Sequence, residues 1–327
     1  MENASNYIPT PIGLPIAQSP FQFNGAKLSI FFLECEDDAL QQQLDTNINQ
    51  PSDGVNNYKT LSINNKSVLL MIMADMSFVA SNQAGKPYGT ISYPECSFWI
   101  PAFDTHTLEP GLFLPLLMLD NGTAIASGRE MYGFEKQQAQ FQFANDDNQF
   151  DVKQPNFTAL PYSFKTLSAQ TKGQFNPLFT LSGGKHKHLA ESLIDHNLFS
   201  SELGKHLFDQ PFKVSGSNHT ISFDDFLKVN LPCVFLKQFP AIEGGDKACF
   251  QKVVHAPFTL DSINSGGLYW HLLPPSITKF QLQVFPVESH PIVEQFGLIG
   301  EQQDDGSYLM DTKGFWVDID FSLQLGA

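Results

Sequence analysis

Gly128-Arg129-Glu130-Met131-Tyr132-Gly133-Phe134-Glu135-Lys136 holds the only arginine of a 327-residue chain. Two glutamates, two aromatic rings and two glycines crowd around that arginine and the closing lysine. A lysine set among apolar groups can become a neutral amine, and such an amine attacks the carbonyl of a keto acid to form a Schiff base. The free side chain has a pKa of about 10.4, so at pH 7 roughly one molecule in 2,500 carries the neutral form. Desolvation alone can lower that value by up to roughly 3–5 units. Met131, Tyr132 and Phe134 are residues of the kind that build such an apolar wall. The competing reading of Lys136 is a lysine on a solvated surface.

Composition narrows the function classes. With 42% apolar residues and 30 phenylalanines the chain can fill a sizeable core, so a folded protein is expected. Its formal net charge of −15 argues against nucleic acid and anionic membranes as partners. A small anion remains possible, because a pocket can be locally positive. Cys35, Cys96, Cys233 and Cys249 form no CxxC pair and predict free, buried thiols. Residues 1–18 contain no lysine or arginine and no long apolar run, unlike a signal peptide. The best apolar stretch, Val68–Phe78, is too short to span a bilayer and contains Asp75. A cytoplasmic protein is expected.

Apolar runs with β-branched and aromatic content predict strands at Leu28–Leu33, Val68–Met73, Cys96–Ile100, Leu112–Leu119 and Ala124–Ala126. Later runs follow at Cys233–Phe239, Cys249–Phe258, Leu268–Leu273 and Phe280–Phe285. Glu34-Cys35-Glu36-Asp37-Asp38 predicts a helix start, its carboxylates facing the positive end of the dipole. Glu243-Gly244-Gly245-Asp246 and Asp311-Thr312-Lys313-Gly314 predict hairpin turns. Residues 185–229 predict a partly helical insertion, with Leu189, Leu193 and Ile194 on one face and a second helix at Ser222–Leu227. Helices and strands do not alternate. The expectation is therefore one α+β domain over 1–327, mainly an antiparallel β sheet curled into a barrel or cone around a pocket, with few helices.

Gly128-Arg129-Glu130 followed by Glu135-Lys136 resembles the active-site stretch of the acetoacetate decarboxylase family, and Lys136 falls on its Schiff-base lysine. Tyr93-Pro94-Glu95-Cys96 with Ile100-Pro101 resembles the segment that supplies the family's active-site glutamate, and Glu95 falls on it. Leu28–Leu40, Pro232–Phe239 with Cys249–Ala256, and Phe280–Phe285 with Pro286-Val287-Glu288 resemble further segments in the same order. Together they span most of residues 20–300. The chain departs from the family pattern at Gln137, where a second lysine is usual, and at Glu135, where a proline is usual. It also has no arginine near the early strand. A Glu135 that pointed inward would raise the Lys136 pKa.

The resemblance implies a lyase that needs no cofactor and no metal, decarboxylating a β-keto acid through an imine on Lys136. Glu95 would manage protons. Arg129 and Glu130 would bind a substrate carboxylate or orient a neighbour; a buried ion pair is the alternative for both. Gln137 and Tyr132 would support the substrate. An aldolase or dehydratase acting on a 2-oxo acid through the same lysine stays open, as does a non-catalytic binder. A small keto acid and, by resemblance, further copies of the chain in a homo-oligomer are the expected partners. His186, His188, His196 and His206 cluster but lack a recognised zinc spacing. Gly183-Gly184-Lys185 lacks the phosphate-loop spacing, and no Gly-x-Ser-x-Gly or Gly-x-Gly-x-x-Gly occurs.

Overall fold

A computed structural model describes residues 16–82, 85–183, 211–222, 232–271, 276–277 and 279–326. The first half runs β1 (Phe21–Cys35), α1 (Asp37–Leu44), β2 (Tyr58–Ile63), β3 (Lys66–Ser81), β4 (Pro87–Asp104), β5 (Glu109–Leu119), α2 (Gly122–Tyr132) and β6 (Lys136–Phe143). It continues through β7 (Phe157–Ser163), β8 (Gln174–Phe175), β9 (Phe179–Gly183), β10 (Phe212–Val214) and β11 (Thr220–Ile221). The last part holds β12 (Pro232–Ala241), β13 (Gly244–Leu268), β14 (Trp270–His271), β15 (Ser276–Ile277) and β16 (Phe280–Val284), then α3 (Ile292–Phe296), β17 (Glu301–Gln302) and β18 (Tyr308–Leu323).

The strands form a largely antiparallel sheet that closes into a ring. β4, β3, β1, β18, β13, β12 and β5 are neighbours in that order, and β5 returns to β4. A second circuit leaves β5 through β6, β7, β9 and β16 and rejoins at β18. Alternation along each strand gives two apolar interiors. Phe21, Phe78, Tyr93, Leu117, Leu119, Phe134 and Phe235 belong to one. Phe98, Met118, Ala139, Phe141, Phe157 and Phe179 belong to the other.

Acidic residues before Leu40 do open α1, which buries Leu40 and Leu44. Two local expectations are corrected. Ala124–Ala126 is not a strand; it lies in α2, where the Asn121 side chain caps the helix by accepting from Ala124 N. Asparagine is among the strongest N-caps, and that outweighs three residues of apolar run. Asp311–Gly314 is not a turn but the middle of β18, where the strand exchanges neighbours. Thr312 pairs with Phe280 of β16, and Gly314 pairs with Phe31 of β1. A Cβ at Gly314 would lie 2.2 Å from Ile30 O, so the glycine serves a close backbone crossing.

In the region expected to be an insertion, the described part is a short hairpin, β10–β11, added to the edge of β2. The helix at 189–194, most of the helix at 222–227 and the four clustered histidines lie outside the described residues. Cys35, Cys96 and Cys233 are free and buried; Cys249 is free and exposed. No helix among the described residues is long and apolar enough to cross a membrane.

Candidate active site

The segment quoted at the outset is the end of α2, a turn, and the first residue of β6. α2 turns Thr123, Ala124, Ser127 and Gly128 inward, at helical spacing. Gly133 ends it in the left-handed region (φ 86°), with its N–H returning to the carbonyls of Arg129 and Gly128. Glycine takes that conformation without a Cβ penalty. Three residues later the chain enters β6 with Lys136, which pairs in parallel with Leu117 of β5.

Lys136 is 6% exposed. Its Nζ donates to Ala124 O at 3.1 Å. It stands 5.1 Å from the centre of the Phe134 ring and 5.8 Å from that of Tyr93. These two rings begin and end a continuous arc. Tyr93 meets Phe78, Phe78 meets Phe21, Phe21 meets Tyr132, and Tyr132 stacks on Phe134. Phe235 packs edge-on against Phe134 at 4.3 Å. The amine therefore closes an aromatic circle.

Glu95 sits on β4 and points to the same interior. Its neighbours across the sheet are Ala74 of β3 and Leu119 of β5. Its backbone stands two strand spacings across the sheet from that of Lys136 and two residues along it, at Leu119 against Leu117 of β5, roughly 12 Å in all, a span that two long side chains can share. Glu95 is also 6% exposed. Burial pushes its carboxyl above the usual range, and the charge of Lys136 partly opposes this. Burial pushes the Lys136 amine below the usual lysine range, opposed by the charge of Glu95. Burial thus shifts each group toward its neutral form. A neutral amine can attack a carbonyl, and a neutral carboxylic acid can give up a proton.

Arg129 does not enter this interior. Its guanidinium is half exposed, donates from Nη1 to Lys136 O at 3.1 Å, and lies 4.0 Å from Glu135. Glu135 also faces outward, so its charge is turned away from the amine. Glu130 is exposed, and its charge acts on Lys237. Tyr132 is buried and donates from its hydroxyl to Gln324 O at 2.9 Å; burial pushes its phenol up to about 12. It belongs to the aromatic arc. Gln137 alternates to the opposite face of β6, where its Oε1 meets His290 Nε2 at 2.5 Å. Lys136, Glu95 and Tyr132 are thus brought to one interior, and Arg129, Glu130 and Gln137 are not.

Gly128, Ala124 and Tyr93 contact the amine or its stem and escaped the sequence reading as site residues. The signal for the first two lay in the small residues at i and i+4 of α2. His290, 153 residues from Gln137, had no local signal. Among the described residues no group of three or more His, Cys, Asp or Glu is placed to hold a metal ion.

A scan against protein-family models returns no match, and neither does a search of curated proteins. Solved structures do match. The crystal structure of acetoacetate decarboxylase from Legionella pneumophila subsp. pneumophila str. Philadelphia 1 aligns with a TM-score of 0.58 at 16% identity, covering 98% of this chain and 91% of that one. A second acetoacetate decarboxylase structure aligns with a TM-score of 0.54 at 15% identity, covering 98% and 94%. The chain has the acetoacetate decarboxylase fold.

Proposed function

We propose that this protein is a Schiff-base-forming lyase that decarboxylates a β-keto acid through Lys136. The observation that carries the reading is the buried Lys136–Glu95 pair inside an aromatic circle, with burial driving both groups toward neutrality. The neutral Nζ attacks the ketone carbon. The resulting hydroxyl leaves as water with a proton from Glu95, forming a protonated imine. The electron pair of the bond to the carboxylate flows into the imine nitrogen as CO2 departs, leaving an enamine. A reprotonated Glu95 gives its proton to the enamine carbon, and water releases the ketone.

The position of Arg129 favours decarboxylation over aldol or dehydration chemistry on a 2-oxo acid. Those reactions hold the substrate carboxylate to the end, and the only guanidinium of the chain faces away from the amine. A carboxylate left unpaired among aromatic rings is costly, and loss of CO2 relieves that cost. Borohydride added with acetoacetate should trap an adduct on Lys136, located by peptide mass spectrometry, with CO2 released in its absence. No adduct across a panel of keto acids would leave a binding protein with this fold as the better reading. An adduct without CO2 would favour the aldolase or dehydratase.

A further inference from the structure

Lys136, Gln137 and Gln138 pair with β5, while pairing with β7 begins only at Ala139. At its first residues β6 is therefore supported by side chains. Arg129 holds the carbonyl of Lys136 on the outer side. Behind the next residue stands a connected series of hydrogen bonds. Phe164 N donates to Ser289 Oγ at 2.9 Å, Ser289 Oγ lies 2.8 Å from His290 Nδ1, and His290 Nε2 lies 2.5 Å from Gln137 Oε1. Gln137 Oε1 is an amide oxygen and can only accept, so the His290 proton on Nε2 is donated to it. In the neutral ring Nδ1 then accepts from the Ser289 hydroxyl, which itself accepts from Phe164 N–H. The turn carrying His290 is itself fixed: Ser289 N donates to Phe164 O, Glu288 N to Lys165 O, and His290 N to Val287 O.

We propose that His290 is a positioning residue for Lys136, acting through the Gln137 amide from the face of β6 opposite the site. The Gln137 clasp fixes the residue that follows Lys136, as Arg129 fixes the carbonyl of Lys136 itself. A nucleophile must hold its reacting atom about 3–3.5 Å from its target, and a 1 Å misplacement can cost about 100-fold. A flexible four-carbon stem meets that demand only if its Cα is held. The glutamine that follows the lysine thus has a stated task, with its oxygen committed away from the substrate.

The proposal rests on Lys136 as the nucleophile, so its test uses a probe of the amine alone. 2,4-Pentanedione condenses with a neutral lysine to an enaminone that absorbs in the near ultraviolet. His290→Phe and Gln137→Met should each slow enaminone formation at saturating diketone by about tenfold or more. The double variant should be no slower than either single one, because both break one contact. His290→Gln, which keeps an N–H donor at the Nε2 position, should restore most of the rate. Thermal midpoints measured alongside separate this from a loss of folded protein. A wild-type rate in His290→Phe, a His290→Gln as slow as His290→Phe, or losses that multiply in the double variant would overturn the proposal. A wild-type protein inert to the diketone would overturn the Lys136 reading itself, and the positioning role with it.

Discussion

Gly128 lies against the stem of Lys136: a Cβ there would come within 2.6 Å of Lys136 Cε, and within 2.7 Å of Lys136 Cδ and the Phe134 ring. The last turns of α2 are thus the floor on which the amine rests. Gly133, five residues on, is tight for a different reason. A Cβ there would meet Lys237 Cα at 2.5 Å and Leu236 O at 2.6 Å, at a φ of 86°.

The two glycines make a paired prediction. In Gly128→Ala the obstacle is mostly a flexible side chain, which swings away; the fold survives and adduct formation falls by about tenfold or more. In Gly133→Ala the obstacle is backbone and the conformation is strained, so stability falls by about 1–3 kcal/mol. Urea unfolding and borohydride trapping on both variants check this. Equal losses of stability would show that Gly128 serves the helix rather than the amine.

The comparison of sequence with structure turns on the same helix. Apolar runs such as Leu28–Leu33 and Val68–Met73 were legible because a strand of one composition keeps one set of neighbours. Ala124–Ala126 was not, since its three apolar residues carry no period and the cap at Asn121 decides the outcome. Reading that segment as a helix would have shown that inward-facing Gly128 and Arg129 differ by one residue, or about 100° of rotation. That turn is why Arg129 lies outside. Asp311–Gly314 has the composition of a turn, but the crossing of β18 from β16 to β1 is a long-range constraint with no local trace. His290 is hidden likewise: only the closed sheet brings it behind Gln137.

Arg129 should behave as a scaffold. Arg129→Ala removes the donor to Lys136 O, a loss of about 0.5–1.5 kcal/mol in stability. Its exposed approach to Glu135 adds little. Turnover should fall while KM for acetoacetate stays within about threefold, a change worth well under 1.4 kcal/mol. A KM raised far beyond that, with turnover intact, would mean that the guanidinium binds the substrate carboxylate after all.

Burial of the Lys136 amine has a thermodynamic signature. Its folded pKa is lowered while its unfolded pKa is about 10.4. Between the two values the unfolded chain binds the extra proton, so this group's contribution to stability rises with pH. Lys136→Met removes a buried amine and should stabilise the protein by about 0.5–2 kcal/mol at neutral pH while abolishing the adduct. The gain should grow as pH falls toward the folded pKa and vanish as pH approaches the ordinary lysine value. Urea titrations of both proteins across pH measure it. A gain independent of pH would mean that the amine is charged in the folded state throughout.

Glu95→Gln isolates the proton transfers. The carboxyl of Glu95 is already pushed toward its neutral form, and no hydrogen bond from a described residue holds the charged one. An amide of the same shape should therefore leave the unfolding midpoint nearly unchanged. It cannot give or take a proton, so turnover of acetoacetate should fall by about 100- to 10,000-fold. Trapping with borohydride and acetone, which needs only the imine, should persist at a reduced rate. The sharpest readout is exchange of deuterium into the methyl groups of acetone, since each exchange is one protonation of the enamine carbon. Exchange that stops in Glu95→Gln while trapping continues assigns that step to Glu95; exchange at the wild-type rate would give it to solvent and leave Glu95 only the tuning of the lysine.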